Sequence, residues 1–178
     1  MSIRGRLKVG VVGLGFAGRA HIDGYKNAEN AELIAVCDVS EERAKETAEK
    51  YGVPKYYTDY EEMLKLDELE AISVCLPNMM HEPVTVSALE AGKHVLCEKP
   101  LAANAEQAKK MVEASEKYGK ILAMSLNFRY EGRSLTLKKM VESGELGEVY
   151  YGKTSMLRSN AIPRGWFHVK KLSGGGPL

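Results

Sequence analysis

The sequence has three cysteines, one tryptophan and no charge of dominant sign. The cysteines, Cys37, Cys75 and Cys97, are odd in number and form no CxxC pair. That excludes a disulfide framework and gives a zinc site no ligand set. Each follows an apolar run (Val36, Val74, Leu96), so the expectation is reduced thiols buried in a sheet. Twenty-five Lys and Arg face twenty-four Asp and Glu, a net charge of +1, and no segment concentrates the positive charge a nucleic-acid partner needs. No apolar run approaches the roughly 18 residues of a membrane span. The basic opening Met1–Arg6 is followed by an apolar stretch that Gly10 and a glycine-rich turn interrupt, which reads as a strand rather than a signal peptide. A cytoplasmic, metal-free protein with no nucleic-acid or membrane partner is expected.

What is present is a strand, a glycine turn and a helix. Leu7–Val12 reads as a buried strand, Gly13-Leu14-Gly15-Phe16-Ala17-Gly18 as the turn, and the residues after it as a helix with Ala17, Ala20, Gly24, Tyr25 and Ala28 as its small or apolar positions. Gly13 allows the tight turn, Gly15 lets a pyrophosphate approach the backbone, and Gly18 lets the helix pack close to the sheet. The helix N-terminus offers free N–H groups to phosphates. A second strand, Glu32–Cys37, ends at Asp38, twenty residues after Gly18 and placed to accept hydrogen bonds from a ribose diol. The spacing predicts a dinucleotide site in which Gly13, Gly15, Phe16, Ala17, Gly18 and Asp38 take part. Asp38 repels a 2′-phosphate and no cation follows until Arg43, so NAD is expected over NADP.

Strand and helix signals continue to alternate. Ser40 caps a helix ending at Tyr51-Gly52, and Val53–Tyr57 is a short strand. Thr58 with Glu61 forms a capping box. Ala71–Leu76, His94–Cys97 and Lys120–Met124 are further strands. Pro83 suits the first turn of the helix between the first two, and Gly92 its C-terminal cap. Asn104 and Gln107 open a helix with Ala105, Ala108, Val112 and Ser115 inward. This pattern predicts an α/β fold, a Rossmann-type doubly wound parallel sheet over residues 1–126. A helix near Ser134–Ser143 and a β-rich run, Glu148–Leu157, then begin a second, incomplete α+β substrate domain over 127–178.

In such sheets chemistry collects at the carboxyl ends of the strands. There the chain carries Pro77, Asn78 and His81 after one strand, Glu98-Lys99-Pro100 after the next, and Asn127-Phe128-Arg129 after the last. Asn78 and Asn127 each offer a donor and an acceptor to a ribose or carboxamide, or else form turns. His81 is expected to cap or line the cofactor site, whereas His21 reads as structural. A lysine beside a cationic nicotinamide has a lowered pKa and can orient a substrate hydroxyl, a role for Lys99 that competes with a surface charge.

These residues resemble the Gfo/Idh/MocA group of NAD(P)-dependent sugar and cyclitol dehydrogenases. The likeness is carried by the glycine turn with His21, by Leu76-Pro77-Asn78-Met79-Met80-His81, by Ala88 to Leu101, by Asn127-Phe128-Arg129 and by Ser173-Gly174-Gly175-Gly176. The resemblance implies that Lys99 sits at the reaction centre, that Pro77, Asn78, Glu98 and Asn127 border the cofactor, and that Trp166 lies near the nicotinamide. It implies hydride transfer between a sugar or cyclitol secondary alcohol and NAD, with a homo-oligomeric parent. The group's glycine triplet opens a helix with an Asp…Gly…His pattern bearing the proton acceptor. This chain ends at Gly176-Pro177-Leu178, so a fragment without that base, inactive by itself, is expected. The competing expectations are an NAD-dependent glycosidase of the same group and a stand-alone NAD-binding sensor.

Overall fold

The computed structural model describes residues 5–155, 157 and 165–175. Six strands form one parallel sheet: β1 (Leu7–Val12), β2 (Ala31–Cys37), β3 (Lys55–Tyr57), β4 (Ala71–Val74), β5 (His94–Glu98) and β6 (Leu122–Ser125). Their spatial order is β3-β2-β1-β4-β5-β6, so the chain reverses direction of growth between β1 and β4. The crossovers carry α1 (Phe16–Asn27), α2 (Glu41–Tyr51), α3 (Tyr60–Leu64), α4 (His81–Glu90) and α5 (Ala105–Tyr118). This is the doubly wound Rossmann-type sheet that the alternation predicts.

The alternation of side chains along each strand feeds two cores. Val9, Val11, Leu33 and Val36 meet Ile22 of α1 and Ala44 and Ala48 of α2 on one face. Val12, Ile34, Ile72, Val74, Val95 and Cys97 meet Met63, Leu89 and Met111 on the other. Gly10 is part of the reason the second face closes. A Cβ there would stand 3.2 Å from both Leu69 Cδ1 and Met63 Cε. Burial pushes the Cys37 and Cys97 thiols up to about 12 and Cys75 upward as well. All three are free; Cys37 and Cys97 are buried in the sheet as expected, while Cys75, just past the end of β4, is half-buried.

The caps follow local chemistry. The Ser40 hydroxyl accepts from the Arg43 N–H at 3.3 Å, and Asn104 Oδ1 from the Gln107 N–H at 2.9 Å. The capping of α3 differs from expectation. Asp59, not Thr58, takes the Glu61 N–H at 2.8 Å, since a carboxylate one residue nearer is the stronger acceptor. On α1, Gly18 and Ile22 are buried and Ala20 and Gly24 exposed. The inward face of α5 differs from expectation. On α5 the buried residues are Met111 and Ala114, while Ala105 and Val112 are exposed. The large Met111 side chain sets the phase of that helix against the sheet.

The chain divides into two compact units, one holding residues up to Ser125 and those from Trp166, the other Leu126–Gly165. The second unit contains a 3₁₀ turn, Asn127–Tyr130, and α6 (Gly132–Glu142). The β-rich run expected as a strand over Glu148–Leu157 shows no strand over residues 148–155 or at Leu157. A strand exists through its pairing, and among the described residues none pairs with this run. The stretch from Trp166, expected with the second domain, belongs instead to the sheet-bearing unit, where α7 (Lys170–Ser173) follows a 3₁₀ turn, Gly165–His168. Among the described residues no helix is long and apolar enough to cross a membrane.

The reassigned face of α5 is open to measurement. Met111→Ala should cost about 2–5 kcal/mol in a denaturant melt, the range for a truncated core side chain. Val112→Ala should cost less than about 0.5 kcal/mol. Equal costs would restore Val112 to the core.

Candidate functional site

The glycine turn sits over the carboxyl ends of β1, β2 and β4. The Gly13 N–H donates to the Cys37 carbonyl and the Cys75 N–H to the Val12 carbonyl, both at 2.8 Å. Gly13 has φ +88°, and a Cβ on it would overlap the Cys75 carbonyl oxygen. A Cβ on Gly18 would overlap the Gly13 carbonyl oxygen. These two positions admit only glycine because backbone fills the space. Gly15 is different. It is exposed, it begins α1 without a side-chain cap, and nothing lies within 4 Å of a Cβ built on it. Its lack of a side chain keeps space free above the first turn of α1, which is what a pyrophosphate requires.

Asp38 is buried at the end of β2. Its Oδ2 accepts the Leu14 N–H at 3.0 Å, and its Oδ1 accepts the Ser40 N–H at 3.0 Å and the Arg43 guanidinium at 2.9 Å. The carboxylate thus clamps the glycine turn to β2 and draws Arg43 to it, two tasks that its spacing alone does not reveal.

Two clefts meet at Gly15. One, of about 680 Å³, runs toward α2 and is lined by Leu14, Arg19, Ser40, Arg43, Thr47 and Tyr51 among others. The other, of about 200 Å³, runs toward β4 and β5 and is lined by Phe16, Ala17, Asn78, Glu98, Lys99 and Trp166 among others. Gly15 lines both. Asp38 stands at the end of β2 beside the first cleft, and in such sheets the acid after β2 marks the adenosine side. In the second cleft Trp166 is stacked on Phe167, ring centroids 3.9 Å apart. Phe167, which the sequence suggests only as exposed aromatic surface beside Trp166, lines the same cleft.

Several expected site residues do other work. Asn78 lines the second cleft, but its amide also donates to the Ser173 carbonyl at 2.8 Å, tying the Ser173-Gly174 turn to the strand ends. Gly174 has φ +80° and passes close to Ala103, which a side chain there would obstruct. His81 neither caps nor lines the clefts. It is buried with Nδ1 2.7 Å from the Pro100 carbonyl and Nε2 2.9 Å from the Leu76 carbonyl, a brace between the loops after β4 and β5. Pro77 is half-buried, lines neither cleft, and accepts the Met80 N–H at 2.8 Å to open a 3₁₀ turn. Asn127 belongs to the other unit, where its side chain accepts the Phe128 N–H at 3.0 Å.

Behind the second cleft lies a polar chain through the sheet. His21 Nε2 donates to Glu98 Oε1 at 3.1 Å, His21 Nδ1 lies 2.8 Å from Ser73 Oγ, and Tyr25 Oη lies 2.8 Å from the same oxygen. The Lys99 N–H donates to Glu98 Oε2 at 3.1 Å. Burial pushes the Glu98 carboxyl up, but hydrogen bonds from His21, Ser125 and the Lys99 N–H outweigh it and hold it below its ordinary value.

Comparison with known proteins agrees with this geometry. Residues 7–126 match the oxidoreductase family with an NAD-binding Rossmann fold, GFO_IDH_MocA. The chain is 41% identical to D-glucoside 3-dehydrogenase of Escherichia coli K12 over 175 residues, 97% of this chain and 50% of that protein. It is 36% identical to myo-inositol 2-dehydrogenase of Thermotoga maritima over 142 residues, 80% of this chain and 42% of that protein. An NAD-binding protein from Listeria innocua superposes with a TM-score of 0.86 at 31% identity, over 94% of this chain and 49% of that one. The chain spans about half the length of the curated relatives it matches.

The glycine geometry separates two kinds of substitution. Gly18→Ala should destabilise the fold by about 2 kcal/mol or more, because its Cβ meets backbone. Gly15→Val should leave the melting curve near wild type and abolish NADH binding in a fluorescence titration. Retained NADH affinity in folded Gly15→Val would make the turn merely structural.

Proposed function

The chain belongs to the GFO_IDH_MocA oxidoreductase family, with an NAD-binding Rossmann fold, and from that premise we propose that it is the nucleotide-binding part of a dehydrogenase. The reaction is transfer of a hydride between a secondary alcohol carbon of a sugar or cyclitol and the nicotinamide of NAD. The observation that carries this reading is the pair of clefts joined at a bare Gly15. A dinucleotide has two ring-bearing halves joined by a pyrophosphate, and the two clefts and the glycine between them have that layout. The names of the glucoside and inositol dehydrogenases it resembles support the substrate class.

A bound nicotinamide supplies the hydride acceptor. The chain's own residues position it and manage protons. Leu14 and Gly15 carry the backbone past which the pyrophosphate lies. Trp166 and Phe167 wall the nicotinamide side. Lys99 is exposed at the mouth of the second cleft and orients the substrate hydroxyl. Asp38 accepts from the ribose diol on the other side.

NAD is the proposed cofactor over NADP. The Asp38 charge opposes a 2′-phosphate, and Arg43, the nearest cation, is already paired with that carboxylate. Asp38→Asn keeps an acceptor for the Leu14 N–H, removes the charge and releases Arg43. It should improve NADPH affinity relative to NADH by about tenfold, the effect of one modest charge interaction in a partly wet site. Fluorescence titration with both nucleotides checks this, and an unchanged ratio would remove Asp38 from cofactor choice.

A further inference from the structure

We infer that the Glu98 carboxylate makes the second cleft select the oxidised, cationic nicotinamide ring over the reduced, neutral one, and that the chain of Tyr25, Ser73 and His21 holds that carboxylate in place. The inference rests on the proposed dinucleotide site and adds a function to one wall of it.

An ionised carboxylate only accepts. Glu98 Oε1 therefore accepts a hydrogen bond from His21 Nε2, and the other ring nitrogen, Nδ1, lies 2.8 Å from the Ser73 hydroxyl. Ser73 Oγ also lies 2.8 Å from the Tyr25 hydroxyl. Tyr25, Ser73 and His21 thus form one continuous hydrogen-bonded chain that ends at the carboxylate, and no member of it is left without a partner. Ser73 is fully buried, and the side chains of His21 and Glu98 are only 10% and 17% exposed. The chain thus runs through the sheet, from α1 across β4 to the end of β5. A purely structural network has no need to end in a cleft. This one ends in Glu98, which lines the cleft beside Phe16, Lys99 and Trp166.

A fixed negative charge in a half-dry wall acts differently on the two redox forms. The oxidised nicotinamide ring carries a positive charge and the reduced ring none, so Glu98 attracts the first and is indifferent to the second. The Lys99 ammonium faces the same cleft with the opposite effect. The Cys75 and Cys97 thiols near Glu98 stay neutral, pushed upward by burial. Glu98 and Lys99 are then the two charged groups, among the described residues lining this cleft, that set its preference.

The test compares dissociation constants for NAD⁺, by calorimetry, and NADH, by fluorescence, in the wild-type protein, Glu98→Gln and Glu98→Asp. Glu98→Gln should weaken NAD⁺ by roughly tenfold at the effective dielectric of such a site and leave NADH within about threefold. Glu98→Asp keeps the charge and should keep most of the preference. If Glu98→Gln does not fold, the double variant His21→Phe with Glu98→Met removes both partners of the pair while Ser73 keeps its hydrogen bond with Tyr25. It should show the same loss. Equal weakening of both nucleotides, or an unmoved ratio, would overturn the inference while leaving the dinucleotide site intact. A wild-type protein that binds neither nucleotide would overturn the functional reading, and this inference with it.

Discussion

The grip of the Asp38 carboxylate on the Leu14 N–H is the contact on which the site depends. It joins the end of β2 to the middle of the glycine turn across 24 residues of sequence. A buried carboxylate with an N–H at each oxygen and a guanidinium beside one of them is a strong acceptor, each such bond contributing about 1.5–3 kcal/mol. With the turn held from that side, Gly13 lies against Cys75 and Gly18 against Gly13, and both approaches are possible only without side chains. The start of α1 is thereby fixed over the sheet, and Gly15 is left bare between two clefts. The same carboxylate holds Arg43, so one group clamps the turn and pairs the cation beside it.

A second, half-buried carboxylate has a parallel place at the other end of the site. Glu98 ends β5 as Asp38 follows β2, and each is held by hydrogen bonds from α1 or the turn before it. Glu98 lines the second cleft, and Asp38 stands at the strand end beside the first. The helix that begins at Gly15 serves both clefts: its first residues border them, and its second turn, through His21, reaches Glu98.

Much of this was legible in the chain. Runs such as Leu7–Val12 are apolar throughout because both faces of a parallel strand are covered, and the glycines and Asp38 stand at distances set by one turn of the fold. Less legible were features that depend on what lies opposite. Val112 and Met111 are both apolar neighbours on α5, and only packing on the sheet decides which turns in. The run after Glu148 has strand composition, but composition does not provide a partner. His81 sits among site residues in sequence, and two backbone carbonyls brought together by β4 and β5 draw it into the interior. The segment from Trp166 docks through Asn78 and Ser173, a contact across 95 residues that no local pattern records.

The account stands on a dinucleotide lying across Gly15 with one end in each cleft. Backbone amide shifts of isotope-labelled protein, followed by NMR as NAD⁺ is added, test it most directly. The account requires the largest changes at Gly15, Phe16 and Ala17, with smaller ones at Ser40 and Arg43 on one side and Lys99 and Trp166 on the other. Saturable NAD⁺ binding that leaves Gly15 to Ala17 unshifted, or that moves residues of only one cleft, would contradict it.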